Sequence, residues 1–277
     1  MPALFDSHCH LTDKKFDVDR EDIINEAEKN GLFMITIGAS YEESVKAIAL
    51  ANKYPKNIWA TVGVHPGYAT EVPEDIGRLL EGIIGDKKVV AVGEGGMDYV
   101  QLMSNDQCLM SKQCPDALEI INKQKKLFQI QLNLALKYDL PIIMHLRNKN
   151  GEDNGFNAYK DALDMLDNLP KMPRGVVHFF QGNLKEAQEF LKRGFYLGFD
   201  GYITFDSHYD DIIKEIPLNK ILIETDSPYV APVPFRGKRN EPKFVEYVAG
   251  KVAGIKQVDI DEVKNITFKN TKSLFGI

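Results

Sequence analysis

The run LFDSHCH at residues 4–10 is the stretch that decides the fold, because it is a short apolar segment that ends in two histidines. On a β-strand, residues two positions apart project to the same side, so His8 and His10 are expected to point together while Cys9 points away. Other apolar runs also end in an acid or an imidazole: VVAVGE at 89–94, IIMH at 142–145, GVVH at 175–178 and ILIETD at 221–226.

Strand-like segments alternate with helix-like segments along the whole chain. Eight strands are predicted, at 3–10, 32–39, 58–65, 89–94, 141–146, 175–180, 195–201 and 220–226. Their near-continuous Val, Ile, Leu and Phe content is typical of parallel strands with helices on one face and a packed interior on the other. Alternation predicts a parallel α/β sheet, and eight repeats predict closure into a (β/α)8 TIM barrel. An open doubly wound sheet is the alternative.

The domain organisation predicted from the sequence is one barrel domain over residues 1–277. An irregular insertion near 99–116 separates the fourth strand from a long helix around 117–139, and we expect it to be a mobile flap on the active face. A second long loop, 227–240, is rich in proline.

Composition excludes several classes of protein. The net charge of −6 argues against a basic face that coats duplex nucleic acid, but it leaves room for a phosphate-bearing substrate if bound cations supply positive charge. No apolar stretch is long enough to span a bilayer and no signal-peptide pattern is seen, so we expect a cytoplasmic protein that does not associate with membranes. The three cysteines do not form a disulfide framework, and Cys108 and Cys114 are expected to be reduced bystanders.

The polar groups at the strand ends predict a metal site. In a parallel barrel these groups converge at one rim, and four imidazoles with two carboxylates can hold one or two divalent transition ions. The proposed ligands are His8, His10, Glu94, His145, His178 and Asp226. The alternative is a set of unrelated structural roles: polar caps, core histidines, a salt bridge of Glu94 and a helix cap at Asp226.

The chain resembles the TatD family of metal-dependent deoxyribonucleases, within the amidohydrolase-like superfamily. The resemblance covers essentially the whole chain and rests on short motifs in the same order: FDSHCHL (5–11), VGVHP (62–66), GEGGMDY (93–99), PIIMHLR (141–147), VHFFQG (177–182), ETDSPY (224–229) and RGKRNEP (236–242). Cyclic-amide hydrolases and phosphotriesterases of that superfamily usually bridge two metals with a carboxylated lysine at the end of the fourth strand. Glu94 at that position favours the nuclease-like branch.

The resemblance implies an activity and a set of residue roles. His8, His10 and Asp226 would bind one cation, His145 and His178 a second, and Glu94 would bridge the two; the identity of the divalent pair stays open among Mg²⁺, Mn²⁺ and Zn²⁺. Asp226 would orient the attacking water and take its proton, so Asp226 and Glu94 are the candidate catalytic residues. The implied substrate is DNA, at single-stranded or damaged ends, in a 3′–5′ exonuclease manner, with no obligate protein partner.

Two other functions remain open from the sequence. One is hydrolysis of an ester or amide, such as D-aminoacyl-tRNA deacylation, by the same metal-activated water. The other is a non-catalytic module that holds metal, although a closed structural ion has four ligands whereas six donors leave positions for water.

Three further residues are predicted to contact substrate. His65 should overlook the pocket because Pro66 turns the chain after the third strand, although a core position is the alternative. Arg147 can hold a phosphate with its planar fork, or form a surface ion pair. Arg236 belongs to a basic cluster with Lys238 and Arg239 that can reach a phosphate backbone or simply be solvated. Among the nearby aromatic residues, one or two could stack on an unpaired base, and these are Tyr99, Phe179, Phe180 and Tyr229.

Overall fold

The computed structural model describes residues 3–100, 115–148 and 156–277. Eight strands form one sheet in the order of the sequence, and every neighbouring pair from the first to the eighth is parallel. The strands are β1 Leu4–Cys9, β2 Leu32–Thr36, β3 Ile58–Val62, β4 Val89–Asp98, β5 Ile142–Arg147, β6 Gly175–His178, β7 Tyr196–Phe199 and β8 Ile221–Ile223. The predicted (β/α)8 TIM barrel is therefore confirmed.

Helices follow the strands around the outside of the sheet. Those of the described residues are α1 Arg20–Lys29, α2 Tyr41–Lys53, α3 Ile76–Glu81, α4 Pro115–Tyr138, α5 Ala158–Asp167, α6 Leu184–Lys192, α7 Asp210–Glu215, α8 Val245–Lys256 and α9 Ile260–Phe275. Local sequence sets their ends: Asn183 and Glu186 form a capping box at the start of α6, and Gly276, with φ of 70°, ends α9 in the left-handed region. Across the described ranges, no helix combines the length and apolar character needed to cross a membrane.

The barrel closes between its first and last strands through the backbone just beyond them. The amide of Asp226 donates to the carbonyl of His8 at 2.9 Å, and the amide of His10 donates to the carbonyl of Ser227 at 2.7 Å. These two bonds nearly complete the ring. They also fix Asp226 beside the paired histidines although the two segments are far apart in the sequence.

Two clusters of buried apolar side chains hold the barrel together. The larger one lies between strands and helices, and the smaller one joins strand residues such as Phe5, Ile143 and Leu222 to Leu274 and Phe275 of α9. The end of α9 lies at the amino ends of the strands, because Asn270, also on α9, donates from Nδ2 to the carbonyl of Ile221 at 2.8 Å. The opposite, carboxyl end of the barrel is left for the polar groups.

Several predicted boundaries are different in the structure. β4 continues past Glu94 to Asp98 because Gly95 and Gly96 pair with Met144 and His145 of β5. Glycine is required at position 96, where φ is 142° and a Cβ atom would lie 2.1 Å from the carbonyl oxygen of His145. β8 ends at Ile223, so Asp226 lies on the following loop. Of the predicted insertion near 99–116, residues 101–114, with Cys108 and Cys114, lie outside the described ranges.

Candidate metal centre

The end of β1, the interior of β4 and the loop after β8 bring four predicted ligands together. The Nε2 atoms of His8 and His10 are 3.3 Å apart, and Oδ1 of Asp226 lies 3.5 Å from the first and 3.2 Å from the second. Oε2 of Glu94 lies 3.5 Å and 3.6 Å from the same two nitrogens. As predicted, Cys9 faces the other way, and its buried thiol donates to the carbonyl of Ile35 at 3.3 Å.

The other oxygen of Glu94 faces the second pair of histidines. Its Oε1 atom lies 2.8 Å from Nδ1 of His145 and 2.9 Å from Nε2 of His178, and these two nitrogens are 3.0 Å apart. His145 and His178 are register partners on neighbouring strands, which explains why they end at the same depth. Glu94 thus lies between two groups of donors, with one oxygen turned to each.

The residues present fit divalent cations. Two ligands bound to one ion at about 2.0–2.1 Å are separated by roughly 2.8–3.4 Å at tetrahedral or octahedral angles, and the donor atoms here lie 2.8–3.6 Å apart. Two such groups are His8, His10 and Glu94, and Glu94, His145 and His178. A buried carboxylate and the four imidazole nitrogens that it faces form a donor set suited to positive ions.

Two carboxylates that the sequence analysis did not single out lie behind the second pair of histidines. Oε1 of Glu224 is 3.5 Å from Nδ1 of His178, and Oδ2 of Asp98 is 3.4 Å from Nε2 of His145. In metal sites, a carboxylate on the far nitrogen commonly fixes the tautomer and orientation of a histidine ligand. Their only sequence signal is that each lies within a motif that also holds a predicted ligand, GEGGMDY or ETDSPY.

The loop that holds Asp226 is fixed from both sides. Asp6 accepts hydrogen bonds from the amide and hydroxyl of Thr225 at 2.8 Å and 2.6 Å. Nδ2 of Asn240 donates to the carbonyls of Thr225 and Tyr229 at 2.7 Å and 2.6 Å. These bonds hold Asp226 in a left-handed backbone conformation, with φ of 55°, that a free loop rarely adopts.

Burial and neighbouring charges set the protonation of the cluster. Desolvation alone would raise the pKa of Glu94, but the charges of His178 and His65 and hydrogen bonds from His145 and His178 hold it well below its usual value. Desolvation would lower the pKa of His178, but Glu94 and Glu224 raise it well above 6.5. Burial, and then the charge of His145, lowers the pKa of His65 to about 4. At neutral pH Glu94 is therefore ionised and His65 is neutral.

The cluster opens into a cavity of about 460 Å³ at the carboxyl end of the barrel. His65 and Arg147 line this cavity together with His10, Glu94, His145 and Asp226. Nδ1 of His65 accepts a hydrogen bond from the amide of Gly67 at 3.0 Å, so the neutral ring carries its proton on Nε2, which lies 3.7 Å from Oε1 of Glu94. His65 is accordingly arranged as a hydrogen-bond donor into the cavity.

Among the described residues that line the cavity, none belongs to the basic cluster after β8. The guanidinium of Arg236 lies 3.7 Å from the centre of the Phe205 ring and donates to the carbonyl of Ala231 at 3.2 Å. Arg239 forms an ion pair with Asp19 at 2.6 Å. A substrate contact at Arg236 stays a prediction that requires a substrate longer than the cavity.

The chain matches one family over nearly all of its length. The family model for "TatD related DNase" matches residues 5–276. The chain is 34% identical to the "uncharacterized metal-dependent hydrolase YabD" of Bacillus subtilis, over 99% of both chains. It is 31% identical to the "3'-5' ssDNA/RNA exonuclease TatD" of Citrobacter rodentium, over 99% of this chain and 98% of the relative.

A solved structure agrees with these sequence matches. The crystal structure of the TatD homolog YJJV of Escherichia coli superimposes with a TM-score of 0.83 at 28% identity, and covers 99% of this chain and 98% of its own. Fold and sequence therefore indicate the same relatives.

Proposed function

This chain belongs to the family of TatD related DNases and is a metal-dependent hydrolase, and on that premise we propose that it hydrolyses phosphodiester bonds in DNA. The proposed substrate is a single-stranded or damaged end, from which nucleotides are removed in the 3′–5′ direction. The observation that carries the proposal is the position of Glu94 between two groups of donors at the floor of an open cavity. The nuclease name of the relative from Citrobacter rodentium supports it.

The ligand roles follow the two groups of donors. His8, His10 and Asp226 would hold one divalent cation, His145 and His178 a second, and Glu94 would face both. When bound, such cations act as Lewis acids on the phosphate and lower the pKa of water to about 7. We propose Mg²⁺, Mn²⁺ or Zn²⁺ in this role.

Asp226 is proposed to orient the attacking water and accept its proton. Asp226 lines the cavity, and among the described residues only its Oδ1 atom contacts His8 and His10, so Oδ2 is available to an incoming molecule. Burial would raise the pKa of Asp226, but the hydrogen bond and charge of His10 lower it. The carboxylate is therefore ionised and able to accept a hydrogen bond from water at neutral pH.

His65 and Arg147 are proposed to bind the phosphate. The proton on Nε2 of His65 can be donated to a phosphate oxygen, and the planar guanidinium of Arg147 can bind two oxygens at once. Within the described ranges, no carboxylate forms an ion pair with Arg147, so its charge is available to an anionic substrate. A protein with a net charge of −6 then relies on this arginine and on cations to attract a polyanion.

The proposal is tested with protein that has been stripped with a chelator and reloaded with Mg²⁺, Mn²⁺ or Zn²⁺. Single-stranded oligonucleotides labelled at the 5′ or the 3′ end are offered alongside an aminoacyl ester. We expect cleavage of the oligonucleotide, with a 5′-labelled ladder that shortens from the 3′ end. Cleavage of the ester alone would overturn the nuclease proposal.

An active-site variant and a matched control complete that test. Asp226→Asn is expected to lower kcat by about 10²- to 10⁴-fold, the usual contribution of a positioned proton acceptor. Asp211→Asn removes an exposed acid at the start of α7 and should leave the rate unchanged. Full activity of Asp226→Asn would contradict the role assigned to Asp226.

A further inference from the structure

Two exposed tyrosines stand at the mouth of the metal-centre cavity. Tyr68 is 41% exposed and Tyr229 is 43% exposed, and both line the cavity. Aromatic rings exposed at the opening of a cavity offer a stacking surface to a ligand that enters it. Tyr68 follows β3 and Tyr229 follows β8, so separate loops bring the two rings to one opening.

The same side of the cavity holds two carboxylates. Asp13 and Glu43 both line it. The hydroxyl of Tyr229 donates to Oδ2 of Asp13 at 2.6 Å, and Nζ of Lys15 lies 4.5 Å from the centre of the Tyr229 ring. Burial, and then the charges of Glu43, Glu71 and Asp13, raises the pKa of Tyr68. Tyr229 is thus a fixed ring, and both phenols stay protonated at neutral pH.

These side chains occupy one continuous arc of the barrel. Since β8 closes against β1, the segments after β8, β1, β2 and β3 are neighbours at the rim, and they supply Tyr229, Asp13, Glu43 and Tyr68 in that order. We call this set the tyrosine wall. Arg147 lies across the cavity on β5, outside this arc.

The Arg147 side of the cavity and the tyrosine wall can bind different chemical groups. A phosphate is attracted to Arg147 and to cations, and it is repelled by the carboxylates of Asp13 and Glu43. A nucleobase is uncharged, stacks on aromatic rings and can donate hydrogen bonds from its amino groups to carboxylates. The cavity therefore has a phosphate side and a base side.

We propose that the tyrosine wall is the subsite for the unpaired base next to the scissile phosphate, with Tyr68 and Tyr229 as stacking surfaces and Asp13 and Glu43 as acceptors for base amino groups. This inference rests on the proposed nuclease function. A paired base has its faces stacked and its amino group bonded within the duplex, so the wall selects single-stranded ends over duplex. The selectivity then comes from recognition of the base and not from the metal centre.

The test compares two substrates that differ only in the base. One is a single-stranded oligonucleotide, and the other is the same oligonucleotide with abasic residues at its 3′ end. In Tyr68→Ala and Tyr229→Ala, we expect the ratio of kcat/KM between the base-bearing and abasic substrates to fall by about 5- to 150-fold, through KM. Tyr68→Phe and Tyr229→Phe keep the rings and should keep most of the ratio.

The control is Tyr247→Ala, which removes a ring of the same 41% exposure that lies outside this cavity and should leave the ratio unchanged. Circular dichroism of each variant checks that it is folded before the ratios are compared. A ratio that stays constant in the alanine variants, or an equal loss on both substrates, overturns the tyrosine wall while the nuclease proposal stands. If the wild-type protein cleaves neither oligonucleotide with any of the cations, the proposed function itself fails and the base subsite fails with it.

Discussion

Glu224 lies behind His178, with Oε1 at 3.5 Å from Nδ1, while the opposite nitrogen of the ring lies 2.9 Å from Glu94. Glu224 is itself fixed, because its Oε1 accepts from the amide of Phe179 at 2.6 Å. The ring of His178 also stacks on that of His8 at 3.8 Å and 6°. A carboxylate at Nδ1 favours the tautomer that presents the lone pair of Nε2 to the metal centre.

Substitution of Glu224 by glutamine should weaken the binding of one cation. The side-chain amide can donate to Nδ1 of His178, which shifts the proton to Nε2 and removes a ligand lone pair. We expect about a 10- to 100-fold loss of affinity, typical of the removal of such outer partners. Calorimetric titration of stripped protein with Zn²⁺ or Mn²⁺ measures it, with Glu262→Gln, an exposed acid on α9, as the control. Unchanged affinity would show that Glu224 has only a structural role.

The six proposed donors can be selected from the sequence because each stands at or just after the end of an apolar run, and the barrel brings these side chains together at one rim. The same information gives the family, which the comparison confirms. It does not reveal Glu224 or Asp98 as partners of histidines, because those contacts run sideways, from β4 to β5 and from the loop after β8 to β6. The spacing of residues along the chain does not indicate such contacts between one strand and another.

Other features depend on contacts that no local pattern indicates. The extension of β4 to Asp98 needs backbone pairing of Gly95 and Gly96 with β5, whereas two glycines in sequence suggest a turn. The conformation of Asp226 needs Asn240, a residue on the far side of the proline-rich loop. The base side of the cavity combines residues from four segments that only barrel closure makes neighbours.

Replacement of Gln131 by methionine should destabilise the protein and disturb His65. This buried side chain of α4 accepts from the amide of Val64 and donates to its carbonyl, both at 2.9 Å. Methionine leaves both backbone groups unpaired, which costs about 1–3 kcal/mol for each. Denaturant unfolding should show a lower free energy of unfolding. The value of kcat/KM for an oligonucleotide should also fall, because His65 is the next residue after Val64 and moves with its backbone.

The matched control for Gln131 lies on the same helix. Gln129→Met changes a solvent-facing amide that bonds only to Asn133 among its described contacts, and it should alter stability by less than about 0.5 kcal/mol. Equal stability of the two variants would mean that water replaces the lost partner at Val64.

Arg147 should affect binding through geometry as well as charge. Arg147→Ala removes one cationic contact to phosphate, so KM should rise and the slope of log KM against log salt should shrink by about 0.7. Arg147→Lys keeps the charge but loses the planar fork, so it should retain the salt slope while KM still rises. Arg78→Ala, at an exposed site on α3, is the control. If the salt slope is the same in Arg147→Ala as in the wild type, Arg147 does not contact phosphate.

Removal of cations should lower the thermal stability of the protein. The size of this effect in Glu94→Gln and in His65→Gln should distinguish a cation ligand from a substrate contact. At a cation concentration a hundred times the dissociation constant, binding raises the free energy of unfolding by about 2.7 kcal/mol. For a chain of this size, that corresponds to roughly 5–10 °C in Tm. Glu94→Gln should lose most of that shift, because Oε1 and Oε2 each face a different pair of histidines.

His65→Gln should keep the cation-dependent shift in Tm, although its ring is as close to His145 as 4.4 Å between centroids. The reason is its tautomer: Nδ1 accepts from Gly67, so Nε2 carries a proton and has no lone pair for a metal. The same variant should nevertheless raise KM for an oligonucleotide, because the glutamine amide, although it can donate, does not hold its N–H at the position of the imidazole Nε2. Scanning calorimetry with and without chelator, with His208→Gln as an exposed control, separates the two effects. A loss of the cation-dependent shift in His65→Gln would make His65 a ligand and would require the Gly67 hydrogen bond to break when the ion binds.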